Sequence, residues 1–187
     1  MRRYLLLMRS PIFSSVIIIL FLAACQGRLS KYGEEFAELM QENDGLFRGV
    51  NIGDTREQVV QAEGGDGAEN TDQQLVYEGP VGEAGTYTIR YTFENDHLFE
   101  ILVEASFEQT ENGRKMLLGF RNYFNDQYGP YGKEAGYLVW KTPAGAVNQD
   151  VTIEMTDESE YTELKQWSLS IYHQAPSAGP VVNEPAL

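Results

Sequence analysis

Residues suited to acid–base or nucleophilic chemistry are sparse in this 187-residue chain. Its two histidines, His97 and His173, fall at a predicted turn and at the end of the last predicted strand. No Gly-x-Ser-x-Gly elbow, His-Glu-x-x-His zinc pattern or Gly-rich phosphate loop opening a helix accompanies them. We therefore predict a non-enzymatic protein without a cofactor. A hydrolase with either histidine in a cleft is the least favoured alternative.

Carboxylates are abundant, with 28 Asp and Glu against 14 Lys and Arg and a formal net charge of −14 at pH 7. No pair of them stands out as a two-carboxylate glycosidase site, and so negative a chain disfavours nucleic-acid binding. One glycine-rich loop gathers oxygen ligands of the kind that calcium prefers: Asp66, Glu69, Asn70 and Asp72. Their spacing differs from that of an EF-hand. We therefore predict no metal site, with this loop as a weak calcium candidate.

Three tyrosines around the glycines of YGPYGKEAGY are the best candidates for a surface that meets a partner protein. Tyrosine side chains bury a large area at low conformational cost, which suits Tyr128, Tyr131 and Tyr137 to this role. The structural alternative, which we favour, is that Tyr128 completes the core side of a helix and that Tyr137 begins a strand.

The only cysteine, Cys25, ends an apolar run. Three arginines and an apolar stretch at 12–24 precede it, which is the layout of a secretory signal peptide. The stretch is shorter than the roughly 20 apolar residues of a membrane-spanning helix. We predict that residues 1–24 are a signal peptide. Because this segment carries three arginines and no acid, its removal from a chain of −14 would leave −17.

The order Leu22-Ala23-Ala24-Cys25 resembles the lipobox of bacterial lipoproteins. The resemblance implies cleavage before Cys25 and acylation of its thiol and, usually, of its amino group; two or three acyl chains anchor a protein stably. Gln26, a residue other than Asp, implies the periplasmic face of the outer membrane, with the outer face of the cytoplasmic membrane as the alternative. An ordinary signal peptide with an incidental cysteine is the rival hypothesis. Lipidation would leave no free thiol.

Hydrophobic periodicity divides the remaining chain into a tether at 25–30, an α+β domain at 31–173 and a disordered tail at 174–187. Helices are predicted at 30–42, at 55–63 and at 111–127. Thr55 and Gln58 form a capping-box pattern at the start of the second helix, and Asp54 with Glu57 offers a competing register one residue earlier. Alternation of apolar and polar residues predicts six strands, near 75–78, 87–93, 99–107, 137–142, 150–156 and 165–173. Pro143-Ala144-Gly145 is a predicted turn.

The central hairpin has two candidate registers. Pairing Tyr91 with Ile101 and Phe93 with Phe99 puts the apolar residues on one face and requires a three-residue turn at 95–97. A two-residue turn would place Tyr91 opposite Glu100. We predict the first register.

This order of elements predicts an α+β fold with helices on one face of an antiparallel sheet. The halves at about 31–108 and 109–173 each run from a helix into three strands, which is compatible with a tandem repeat.

The segment GDTREQVV, ending at Gly64, carries a family resemblance. Gly53, Thr55, Gln58, Val59 and Gly64 match a helix motif of the SmpA/OmlA (BamE-like) lipoproteins, whose fold is similar to that of the β-lactamase inhibitor protein. Glu63 replaces the usual leucine of the motif, and the usual proline that follows is absent. The resemblance implies an envelope lipoprotein that contacts other envelope proteins. We predict a non-enzymatic protein-binding or scaffolding module, with an inhibitor-like or small-ligand-binding periplasmic protein as the alternative.

Overall fold

The computed structural model describes residues 27–142, 150–157 and 165–173. Cys25, the predicted signal peptide, the turn at 143–145 and the predicted tail lie outside these residues. In the described part, an eight-stranded antiparallel sheet carries its helices on one face, which confirms the predicted α+β class.

Among the described residues, three α-helices pack on the sheet: α1 (Glu34–Met40), α2 (Arg56–Glu63) and α3 (Thr110–Tyr128). The helix predicted at 30–42 is interrupted at Gly33, whose φ of 119° separates a 3-10 turn, Ser30–Tyr32, from α1. The predicted Thr55–Gln58 capping box is confirmed. The Thr55 hydroxyl accepts a hydrogen bond from the backbone N–H of Gln58, and the side-chain oxygen of Gln58 accepts one from the backbone N–H of Thr55. Gly64 ends α2 in the left-handed conformation.

The sheet has the strand order β1-β2-β3-β4-β8-β7-β6-β5, so that two four-stranded meanders meet where β4 pairs with β8. Six strands lie where alternation predicted them. Strands β1 and β5 were not predicted, because short exposed segments lack alternation. The bounds are β1 (Glu69–Asn70), β2 (Gln74–Val81), β3 (Gly85–Glu94), β4 (His97–Phe107), β5 (Gly132–Glu134), β6 (Tyr137–Lys141), β7 (Val151–Asp157) and β8 (Lys165–His173).

The β3–β4 hairpin combines features of both candidate registers. Tyr91 pairs with Ile101 as predicted, but Phe93 pairs with Leu98 and not with Phe99. The turn holds two residues, Asn95 and Asp96, both with positive φ (50° and 65°), a conformation that Asn and Asp tolerate better than other residues. A bulge after Thr92 absorbs the extra residue of β4. The predicted three-residue turn is therefore wrong, although the apolar face is preserved.

The core lies between the helices and one face of the sheet, here called the core face. Phe120 of α3 stacks on Trp167 of β8, with ring centroids 4.8 Å apart, and meets Phe36 of α1 edge-on at 4.7 Å. Gly119 lets the two helices approach, since a Cβ there would lie 2.7 Å from the Cβ of Phe36. Aromatic packing between α1, α3 and β8 therefore holds the helical layer on the sheet.

Residues 27–30, which belong to the predicted tether, lie against the domain. Leu29 is only 5% exposed, and the Arg28 amide donates a 2.6 Å hydrogen bond to Glu42. In the sequence, Gln26 alone separates Cys25 from Gly27, the first described residue.

Candidate functional site

The second face of the sheet is the candidate functional site, and we call it the open face. Each hydrogen bond and ring contact that we describe between a helix and the sheet involves the core face. Alternation along the four central strands assigns mainly hydroxyl-bearing and acidic residues, with one arginine and one leucine, to the open face. They are Thr88, Arg90 and Thr92 of β3, Glu100, Leu102 and Glu104 of β4, Thr152, Glu154 and Thr156 of β7, and Ser168, Ser170 and Tyr172 of β8. Thr152 is buried, with 3% of its surface exposed.

Hydroxyl-bearing residues, among them Thr88, Ser168 and Ser170, occupy much of the open face. One row across the strands runs from Arg90 through Leu102 and Ser170 to Glu154. Leu102 is half-buried, so the row offers an apolar contact between a cation and a carboxylate. Ser170, with its short side chain, stands between Leu102 and Glu154 in this row.

Carboxylates dominate the charge of the open face. Glu104 lies 3.9 Å from Arg90 and accepts a 3.4 Å hydrogen bond from Gln166. The Tyr172 hydroxyl donates to Glu154 at 2.6 Å. Burial, with the neighbouring carboxylates, raises the pKa of Tyr172 to about 12, so Tyr172 is a neutral donor at physiological pH. The face is suited to bind cationic and hydrogen-bonding groups.

The three candidate tyrosines have different surroundings. Tyr128 stacks on Phe124 with centroids 6.2 Å apart, and Tyr131 packs edge-on against Trp140 at 5.8 Å. Burial raises the pKa of Tyr128 to about 12. Tyr137 begins β6, as predicted, and is 39% exposed at the margin of the open face. Of the three, Tyr137 is the most available to a partner.

The calcium candidate is held together by its own side chains. Asn70 donates to Asp66 at 3.2 Å, and Arg56 donates to Asn70 at 3.0 Å, so a guanidinium already occupies one ligand oxygen. Glu69 lies in β1 and pairs with Val76, whereas Asp72 is exposed at a bend. Within residues 27–142, 150–157 and 165–173, no group of three or more His, Cys, Asp or Glu is placed to hold a metal ion.

His97 is an exposed residue at the start of β4 and not part of the preceding turn. Its Nδ1 lies 2.9 Å from the Gly53 carbonyl, so the tautomer with its hydrogen on Nδ1 donates there. This contact ties the β3–β4 hairpin to the loop before α2. The side chain of His173 lies outside the described part.

A buried charged cluster, absent from the sequence-based predictions, lies beneath the core face. Arg48 donates to both Glu63 oxygens, with distances of 2.7–3.1 Å, and to the Leu39 carbonyl at 2.8 Å. The Tyr91 hydroxyl donates to Glu63. The Arg48 and Glu63 side chains are only 5% and 1% exposed. We call these three residues the Arg48–Glu63–Tyr91 cluster.

Protonation of the cluster follows from burial and from its central carboxylate. Burial opposes the charge on Arg48, but the hydrogen bonds and charge of Glu63 outweigh it, and the pKa of Arg48 is raised. Burial, reinforced by Glu63, raises the pKa of Tyr91 well above its usual value. The cluster therefore holds a charged guanidinium and a neutral phenol. Its enclosure suits it to join α2, β3 and the 46–50 turn.

One feature of the backbone and one of the sequence mark this cluster. Arg48 and Gly49 both have positive φ (52° and 82°) in a tight turn, a position where arginine is unfavourable unless its side chain is needed. Glu63 stands where the motif given in the sequence analysis usually has leucine, and its side chain is only 1% exposed. The departure from the motif is therefore the residue that neutralises Arg48.

Two polar cavities are lined by described residues on the helical side. One of about 320 Å³ lies between the N-terminal turn and α3, and another of about 420 Å³ lies beside α2. Arg28, Lys31 and Tyr123 contribute to the first. Neither has the apolar lining typical of a small-molecule site.

No protein-family model matches the chain, and no curated protein or solved structure matches it. In the part of the chain that the structure describes, no helix has the length and apolar character needed to cross a bilayer.

Proposed function

We propose that this protein is a lipid-anchored envelope lipoprotein that acts as a non-enzymatic protein-binding or scaffolding module through the open face of its sheet. The open face itself carries the proposal, because it presents hydroxyls, carboxylates and one half-buried leucine over the width of four central strands. The lipobox-like sequence at Cys25 supplies the anchor, and Gln26, a residue other than Asp after the cysteine, supports the periplasmic face of the outer membrane.

The composition of the open face supports a protein partner over a small ligand. Its described hydroxyls and carboxylates are spread over four strands, so it can form many hydrogen bonds over a wide area. Protein interfaces typically combine such polar contacts with a few apolar or aromatic anchors, here Leu102 and Tyr137.

Photocrosslinking in the native envelope tests this proposal. A photoreactive amino acid would replace Thr88 or Ser170 on the open face and, as a control, Gln61 on the exposed surface of α2. We expect one reproducible protein adduct from both open-face positions and none from position 61. Absence of an adduct from both positions in a properly lipidated protein would reject the scaffolding function.

An inhibitor-like function is the second candidate, favoured by the acidity of the open face. Glu100, Glu104 and Glu154 could pair with cations of a basic enzyme surface. Replacing all three with glutamine would then weaken binding and reduce its salt dependence. A salt-insensitive affinity would instead favour the hydroxyl and apolar contacts.

The strand order also supports a finer architectural proposal. Each meander of four strands follows helical segments, and the two meanders meet at β4 and β8. We propose that they derive from a repeated helix-plus-strand unit, although the first has two α-helices and the second has one.

A further inference from the structure

We propose that the helical layer lies on the membrane, with the outer surface of α3 against anionic and zwitterionic phospholipid headgroups and the open face directed away from the bilayer. The proposal rests on the lipid anchor at Cys25, and it specifies which surface that anchor presents to the membrane.

The first argument is the short distance between the anchor and the folded domain. Two residue steps from Cys25 to Gly27 span at most about 7 Å, so the surface around Gly27 must stay at the headgroup layer. Leu29 is buried and Lys31 lies 3.3 Å from Asp126 of α3, which fixes this end of the chain beside the C-terminal part of α3.

The second argument is the distribution of cations. In this strongly acidic protein, Arg114, Lys115 and Arg121 lie together on the outer surface of α3, and no carboxylate among the described residues forms an ion pair with them. Arg28 and Lys31, with side chains 72% and 61% exposed, extend the basic area toward the anchor. Phospholipid phosphates attract such a surface.

The carboxylates near α3 are compatible with this orientation. Asp126 is paired with Lys31, and Asp44 lies 3.9 Å from Arg28. On α1, Glu38 accepts a hydrogen bond from Gly82 at the β2–β3 turn, and the Glu83 carbonyl of the same turn accepts one from Asn112 of α3. Glu111 stays exposed near the start of α3. Carboxylates therefore border the basic area of α3, and such a mixture of charges suits a bilayer that holds both zwitterionic and anionic lipids.

The third argument is an exposed leucine at the centre of the basic area. Leu118 is 40% exposed on α3, between Lys115 and Arg121. With a rise of about 1.5 Å per residue, Leu118 lies about 12 Å along the helix from Asp126 and hence from the anchor end. A leucine flanked by cations can enter the boundary between headgroups and acyl chains while the cations stay among the phosphates.

Fluorescence quenching in vesicles tests the orientation with the full lipoprotein, expressed with its own leader. Because the chain has one cysteine, Leu118→Cys adds a single attachment site for an environment-sensitive dye, and Thr86→Cys on the exposed part of β3 is the control. In vesicles of phosphatidylethanolamine and phosphatidylglycerol at 3:1, a nitroxide lipid should quench the dye at position 118 at least threefold more than at position 86.

A charge series gives the second arm of the test. Arg114→Gln, Lys115→Gln and Arg121→Gln together should at least halve the quenching at position 118. The matched set Arg90→Gln, Lys133→Gln and Lys141→Gln should leave it unchanged. Equal quenching at positions 118 and 86, or equal effects of both sets, would overturn the proposed orientation.

Mass spectrometry of the N-terminal peptide separates this proposal from the one on which it rests. Acylated Cys25 with equal quenching at both positions would reject only the orientation. Unmodified Cys25 would reject the lipid anchor and the orientation together.

Discussion

The two faces of the sheet handle charge in opposite ways, and adjacent residues of β3 show the contrast. Arg90 reaches the open face, where its contact with Glu104 is 3.9 Å long and both side chains are at least a third exposed. Tyr91 reaches the core face and donates to Glu63, whose carboxylate is bound by Arg48 and is 1% exposed. One step along a strand therefore separates a hydrated ion pair from an enclosed one.

This contrast shows which charges belong to the fold and which are available for binding. An enclosed pair must be matched, because an unpaired charge without water is costly. A hydrated pair contributes little to stability and can exchange its partner for another molecule. The Arg48–Glu63–Tyr91 cluster is therefore structural, whereas the charges of the open face are free to take part in recognition.

The largest expected effect comes from removing the central charge of the buried cluster. Glu63→Gln leaves Arg48 charged and enclosed, and should lower the free energy of unfolding by about 3–5 kcal/mol. Urea denaturation monitored by tryptophan fluorescence measures it. The control, Glu104→Gln on the open face, should cost less than about 1 kcal/mol. Equal losses in the two variants would contradict the contrast between the faces.

Removing the whole cluster sharpens the same comparison. The triple variant Arg48→Met/Glu63→Leu/Tyr91→Phe replaces matched charges with apolar groups, so it should be more stable than Glu63→Gln alone. A triple variant less stable than the single one would show that the cluster contributes more than charge neutralisation.

Two leucines on opposite faces give the next effect. Leu169 of β8 is fully buried, and Leu169→Ala should cost about 2–5 kcal/mol through lost burial and a cavity. Leu102 of β4 is half-buried on the open face, and Leu102→Ala should cost at most about 1 kcal/mol. Partner binding should show the reverse order, with the larger loss for Leu102→Ala in the crosslinking assay.

A smaller effect is expected at the helix termini of the core side. Thr55→Ala removes the side-chain cap of α2 and should cost about 1 kcal/mol, measured by urea denaturation. Gln109 precedes α3 without a side-chain cap, so Gln109→Ala should be nearly neutral. A neutral Thr55→Ala would indicate that contacts of Arg48 with Glu63 alone hold α2.

The smallest effect is the titration of Tyr172. Its pKa in the folded protein is raised to about 12, whereas an unfolded tyrosine ionises near 10. Its contribution to stability is therefore complete below pH 10 and is lost as the pH rises to about 12. Absorbance at 295 nm, with Tyr172→Phe subtracted, should show this late transition. A difference titration centred at pH 10 would refute the contact with Glu154.

Much of the fold could be predicted because local patterns agree with the tertiary structure. Alternation in β3, β4 and β8 predicted their burial, and the Thr55–Gln58 box predicted the start of α2. The sequence did not predict the break between the 3-10 turn and α1, because this break depends on the backbone conformation of one residue, Gly33. The bulge after Thr92 was missed, because apolar residues at both 98 and 99 fit either register.

The candidate site was less predictable, because its residues come from strands that are distant in sequence. Thr88, Glu104, Ser168 and Thr156 are neighbours only through three strand pairings. Taken singly, such residues are ordinary solvent-facing positions. Tyr137 was the one candidate tyrosine that the structure leaves well exposed, and packing against aromatic rings accounts for the other two.

The sequence by itself determined the periodicity of the elements, the cap of α2, the acidity of the chain and the lipobox-like segment before Gly27, because each depends on neighbouring residues. Only the tertiary structure decided that β4 pairs with β8, that Arg48 meets Glu63, and that the side of α3 with Arg114 and Leu118 faces outward. These features depend on which surfaces lose contact with water when the helices pack on the sheet.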